Sequence, residues 1–222
     1  PLSLLLLLLI LPACNEKVEE KKLLVPAVAS EFWDIGPEPD LRHAGLQPSL
    51  ETDVQPNQPN DHCIFIADDG KWHLWACVRR TAVGRILCHW EADSLQQSPW
   101  NYTGDIIRAS NEAGESLVEW KGQEFIQSPY VIKENDRYYM FYGGYDSGLD
   151  RMGNPTPPQP DYDSVEKQIC LMTSPGGIEW ERYENDSGYS RLFIGPGAAR
   201  DINVEKFGDK YYAYYCGHHN MD

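Results

Sequence analysis

Three stretches decide the fold: Asp61-His-Cys-Ile-Phe-Ile-Ala-Asp-Asp-Gly-Lys-Trp-His-Leu-Trp75, Ser128-Pro-Tyr-Val-Ile-Lys-Glu-Asn-Asp-Arg-Tyr-Tyr-Met-Phe-Tyr142, and Asp201-Ile-Asn-Val-Glu-Lys-Phe-Gly-Asp-Lys-Tyr-Tyr-Ala-Tyr-Tyr215. Each runs from an apolar strand through a polar turn (Asp68-Asp69-Gly70, Asn135-Asp136, Gly208-Asp209) into an aromatic strand. That is the pattern of a β-hairpin. The starts lie 67 and 73 residues apart. Two of the intervals continue alike, Ile86-Leu-Cys-His-Trp90 through Trp100 and Ile169-Cys-Leu-Met-Thr-Ser174 through Ile178-Glu-Trp180. Each repeat is therefore about four strands, and four-stranded units repeated around an axis are propeller blades. A β-sandwich alternates too, but would not match hairpin, strand and terminal Trp in order. The expectation is an all-β propeller over residues 57–222, holding blades one, two and half of three. At about 70 residues per blade, five blades need roughly 350 residues, so the chain reads as a fragment of a longer protein.

Composition agrees with many short strands. Aromatic residues reach 12%, with 13 Tyr and 7 Trp, and Gly and Pro are frequent at 18 and 16. Such a mixture suits strands, turns and surfaces that stack on sugar rings, and it does not suit a helix bundle. The 34 acidic residues against 19 Lys and Arg give a net charge of −15. A nucleic-acid binder needs the opposite balance, as does a polybasic grip on anionic lipid.

The N-terminus reads as a targeting segment. Residues 2–13 form an apolar run too short to span a bilayer as a helix, which fits the h-region of a secretory signal. Leu11-Pro12-Ala13-Cys14 resembles a bacterial lipobox, with Cys14 as the lipidated residue, although Pro12 is unusual there. The plainer reading is an ordinary signal with a coincidental Cys. Either way the protein is expected to be exported, in the bacterial cell envelope, at the surface or in the periplasm. A lipid at Cys14 would be its sole membrane contact. Residues 14–56, charged and then Pro-rich, read as a tether and irregular lead-in with Phe32-Trp33 as apolar anchor.

With the blades in place, the chain resembles the five-bladed β-propeller glycosidases, the group of glycoside hydrolase families 32, 43, 62, 68 and 117, with family 117 the nearest in kind. Three features carry the resemblance. Asn60-Asp61 opens the first blade, Thr173-Ser174-Pro-Gly-Gly-Ile-Glu-Trp180 looks like the group's Ser-x-Asp-Gly-x-x-Trp blade ending, and Arg200-Asp201 opens the third blade like its Arg-Asp-Pro motif, with Ile202 in place of Pro. The resemblance implies that Asp61 is the catalytic base, or a nucleophile in retaining families. It implies that Asp201 tunes the site and holds sugar hydroxyls. It places the general acid on a fourth blade, near position ~270 on the repeat spacing and beyond this chain, so the fragment alone is expected to be inactive.

The residues support this independently. First strands of blades converge on the axis, so Asp61, Ser128 and Asp201 should meet in one funnel, and glycoside hydrolysis needs two carboxyl groups in different protonation states. The bland alternative is that the two Asp cap strand ends. Loops after the second strands should form the rim: Arg79-Arg80-Thr81, the long 143–167 stretch with Asp146, and Cys216-Gly-His218-His219. The long loop reads equally as a lid or as disorder. Arg79 and Arg80 are candidates for an acidic sugar, or simply solvated charges. Gln127, Ser128, Arg200, Asp146, His218 and His219 complete the candidate substrate contacts, and Glu124 could approach the funnel. Adjacent His on an extended chain point opposite ways, and no spacing in the chain matches a metal site, so neither metal nor cofactor is expected. Trp72, Trp75, Tyr138, Tyr139, Tyr211 and Tyr212 read as blade packing. Cys63, Cys77, Cys88, Cys170 and Cys216 read as free thiols, because direct cross-strand bridges are awkward.

The expected function is an exported glycosidase acting on plant or algal oligosaccharides, with inversion implied by most of the resembling families. Two rivals stand beside it: a non-catalytic glycan-binding lipoprotein on the same scaffold, and a retaining fructan-type hydrolase or transglycosylase. A spacing of about 5–5.5 Å between the base and acid carboxyls would mark retention, and a wider gap inversion.

Overall fold

The computed structural model describes residues 27–28, 32–36, 57–115, 124–145, 167–195 and 199–217. The chain divides into two units, residues 1–32 and 33–222. The second carries eleven strands and, among the described residues, no helix.

The first repeat is an antiparallel meander of β1 (Gln58–Ile66), β2 (Trp72–Thr81), β3 (Gly84–Ala92) and β4 (Asn101–Ile107). Its opening turn forms because Gly70 takes φ 81° and donates its N–H to the Ala67 carbonyl, while the Asp69 carboxylate accepts the Lys71 N–H. The second repeat is β5 (Glu124–Glu134), β6 (Arg137–Tyr145) and β7 (Lys167–Ser174), whose outer edge is shared by β8 (Glu181–Arg182) and β9 (Arg191–Gly195). Asn135-Asp136 closes its hairpin in two residues, with Asn135 at φ 55°, as a tight hairpin turn requires. The third is the hairpin of β10 (Arg200–Phe207) and β11 (Lys210–Cys216), closed by Gly208-Asp209. A two-residue parallel bridge between β3 and β5 joins the first two repeats into one sheet path, and the sheets do not close on themselves.

Three cores follow from these layers. Leu74, Ala76, Val78, Ile86 and Trp90 fill the outer face of the first repeat. Trp75, Cys77 and Leu87 point the other way, against Ile126, Met140, Tyr142 and Met172 of the second. This two-sided burial explains the unbroken apolar run Leu74–Val78 in the middle of β2. Ile169, Phe141 and Phe193 pack against Ile202 and Val204 of the third hairpin. The lead-in meets the first core through Ile35, whose carbonyl accepts the Trp100 N–H at 2.7 Å, whereas Phe32 is 89% exposed and Trp33 40%. The anchoring role expected of Phe32-Trp33 therefore falls to Ile35.

A buried polar knot stands behind the second repeat. The Glu115 carboxylate accepts hydrogen bonds from Arg182, Ser190, the Ser110 N–H and the Tyr142 hydroxyl, and none of it is exposed. Burial first, and then Glu115, push the Tyr142 hydroxyl well above its ordinary value, so it stays protonated and donates.

The five described cysteines are free thiols. Burial pushes Cys63, Cys77 and Cys88 up to about 12. At pH 8 such a thiol is overwhelmingly protonated, whereas the thiolate is the nucleophilic form. Iodoacetamide at that pH should therefore modify exposed Cys216 while Cys77 and Cys88 stay unmodified until the protein unfolds. Peptide mapping checks this, and labelling of Cys77 at the rate of Cys216 would refute the packing described.

Candidate active site

Each hairpin breaks its ladder once, near the start of its first strand. Asn60 and Asp61 oppose Cys77 in β1, Ser128 and Pro129 oppose Tyr142 in β5, and Asp201 and Ile202 oppose Tyr215 in β10. Two residues against one make a β-bulge, which bends the strand and re-aims its side chains. Ser128 and Asp201 take φ values of 54° and 55°, a left-handed conformation that costs a residue with a Cβ on the order of 1 kcal/mol or more. Asp61 is the second residue of its bulge and the other two are the first. The sequence alignment at one common register is thus off by one at Asp61.

The bulges bring the three side chains together. The Ser128 Oγ lies 2.9 Å from Asp61 Oδ2 and 2.7 Å from Asp201 Oδ1. Ser128 is buried beneath the pair, with Asp61 half-buried and Asp201 exposed. The one proton of the Ser128 hydroxyl is shared between the two carboxylates. The three residues line an open cleft of about 560 Å³ with Asn60, His62, Pro129, Tyr130, Ile202 and Asn203.

The two carboxylates are differently held. Asp201 is engaged on both oxygens, by Ser128 and by the Arg200 Nε 3.2 Å from Oδ2. Asp61 is engaged on Oδ2 alone, and its Oδ1 has no partner among the described residues. A carboxylate with one oxygen fixed and the other open to the cleft is oriented to take a proton from a water or hydroxyl in front of it.

No protein-family model matches the chain, and no curated protein matches it. Among solved structures, an endo-1,4-beta-xylanase from Bacteroides thetaiotaomicron aligns with 75% of this chain and 51% of its own, at 16% identity and a TM-score of 0.47. A GDP-Man-dependent mannosyltransferase from Leishmania mexicana aligns with 72% of this chain and 40% of its own, at 12% identity and a TM-score of 0.39. The chain spans about half the length of the first and less of the second. No family is singled out by likenesses of this size.

The remaining candidates lie around the cleft or away from it. Arg200 sits at its edge through the pair with Asp201. Arg79 and Arg80 end β2, beside the start of β1, and do not line the cleft; the Arg80 carbonyl accepts the Asn57 Nδ2. Gln127 is buried and accepts a hydrogen bond from Arg85 at 2.6 Å. Glu124 is buried, paired with Arg108, and stays outside the cleft. Trp75 and Tyr138 pack inside, while Tyr211 and Tyr212 are nearly half exposed on β11. Asp146, His218, His219 and Cys14 lie outside the described residues. Sequence reasoning missed His62, Tyr130 and Asn203, the residues at which each ladder resumes after its bulge. The repeat register itself was the signal that marks them.

Proposed function

We propose that this chain supplies the base side of a glycoside hydrolase site, on a scaffold that is a five-bladed β-propeller in the whole protein. The observation that carries the reading is the Ser128 hydroxyl bridging Asp61 and Asp201 at three equivalent strand starts in an open cleft. Asp61, with its free oxygen, activates the water that attacks the anomeric carbon. Asp201, held by Ser128 and Arg200, accepts hydrogen bonds from sugar hydroxyls and fixes the ring. Face-to-face packing of successive hairpin units supports the propeller, and the resemblance of Asn60-Asp61 and Arg200-Asp201 to the propeller glycosidases supports the roles. The substrate is a plant or algal oligosaccharide, the outcome inversion, and the protein is exported and held to the cell envelope by a lipid at Cys14.

Sugar release by the native protein from a panel of plant and algal oligosaccharides tests the activity. Release from one class supports the hydrolase. Binding without release would favour a glycan-capturing protein instead. Ser128→Ala removes the bridge but neither carboxylate. It is expected to lower kcat by roughly 10- to 100-fold, since misplacing a reacting group by about 1 Å costs on that order. An unchanged kcat would show that Ser128 does not set the geometry.

A further inference from the structure

A second cluster lies toward the opposite end of β1 from the cleft: His73 stands across from Phe65, four residues or roughly 13 Å along the strand from Asp61. Asp69 in the first turn, His73 on β2 and Glu91 opposite it on β3 place a ligand atom each within 4.8 Å of one another. His73 is 1% exposed and its orientation is fixed. Its Nδ1 meets the His89 Nε2 at 2.8 Å, so its Nε2 faces both Asp69 oxygens at 3.2 Å.

The His89 Nδ1 in turn meets the Thr103 hydroxyl at 3.0 Å, so the two rings stand in one relay that holds the buried His73 Nε2 against the Asp69 oxygens. Two carboxylates face this one ring, and a cation among the three would balance them, taking the Nε2 lone pair in place of its proton. The ring held from behind by a second group is also how metal-bound histidines are oriented. Lys71 partly fills the need from the side, with Nζ 2.7 Å from Glu91 Oε1, but its side chain is 39% exposed and can swing into solvent.

We propose that Asp69, His73 and Glu91 bind a divalent transition-metal ion, which pins the first turn to β3. One imidazole with two carboxylates suits Mn²⁺ or Zn²⁺ at roughly 2.0–2.2 Å from each ligand, reached by small rotations of the two carboxylates.

Mn²⁺ titrated into the native protein and followed by the loss of the free-ion EPR signal tests this, with Zn²⁺ as competitor. One Mn²⁺ is expected to bind and to be displaced by Zn²⁺. Asp69→Asn and Glu91→Gln, both at solvent-accessible side chains, should each weaken binding at least about tenfold, and Lys71→Met should tighten it by removing the competing ammonium. Near-UV circular dichroism confirms that each variant is folded. No saturable binding by wild type and Lys71→Met would overturn the site and leave the contact between His73 and Asp69 as a plain hydrogen bond. Equal binding by wild type, Asp69→Asn and Glu91→Gln would also overturn it, by placing the ion elsewhere.

Discussion

Asp61→Asn is expected to reduce oligosaccharide hydrolysis by the native protein about 10³-fold, with KM little changed. The amide is the same size as the carboxylate and still offers an oxygen to the Ser128 hydroxyl, so the bulge and its hydrogen bond persist. What disappears is an oxygen able to take a proton, and loss of a general base costs typically 10²–10⁴-fold. A fall in kcat and kcat/KM together is the signature of an interaction made only in the transition state. Asp201→Asn should behave differently. Both Asp201 oxygens are hydrogen-bond or ion-pair acceptors, one of them beside Arg200. Its replacement weakens a positioning contact, so a rise in KM accompanies the fall in kcat. Steady-state kinetics on both variants separate the roles, and wild-type turnover by Asp61→Asn would remove that residue from the mechanism.

The pairing of these carboxylates was legible in the sequence because it depends on the repeat. Asp61, Ser128 and Asp201 stand within one residue of matching places in three similar hairpins, and strand starts converge whenever the hairpins stack face to face. The bulges were not legible. Where the extra residue enters each ladder is set by the pairing of whole strands, with Cys77, Tyr142 and Tyr215 each opposite two residues, and no local turn residue announces it. The His73 cluster escaped for a related reason. Asp69, His73 and Glu91 have no ligand-motif spacing, and they meet only because the β2–β3 register sets His73 directly opposite Glu91. Likewise Gln127, next to a site residue in sequence, belongs to the opposite face of its strand, where Arg85 takes its oxygen. Strand alternation predicts that reversal, but the bulge at Ser128 hides the parity from which it would be read.

Glu115→Gln is expected to destabilise the protein by about 3–5 kcal/mol, the usual consequence of breaking a buried ion pair from one side. For a domain of this size that corresponds to a fall in melting temperature of roughly 10 °C. Glu115 is wholly buried, and Arg182 reaches it with Nε and Nη2, each at 2.9 Å. The glutamine keeps the volume but turns one acceptor into a donor facing N–H groups, and it leaves the largely buried guanidinium without a counter-charge. Adding Arg182→Met removes the stranded charge, so the double variant should recover part of the loss, giving a coupling energy of about 1–3 kcal/mol in a double-mutant cycle. The effect should also reach the cleft. Tyr142 donates its hydroxyl to Glu115 and stands across the ladder from the Ser128 bulge, so releasing it loosens the backbone that holds Ser128 between the two carboxylates. Below its melting temperature, Glu115→Gln should therefore lose activity as Ser128→Ala does, through kcat. Thermal melts of the three variants with kinetics at one low temperature decide the matter: an unchanged melting temperature would show the knot to be dispensable, and lost stability with full kcat would sever it from the site.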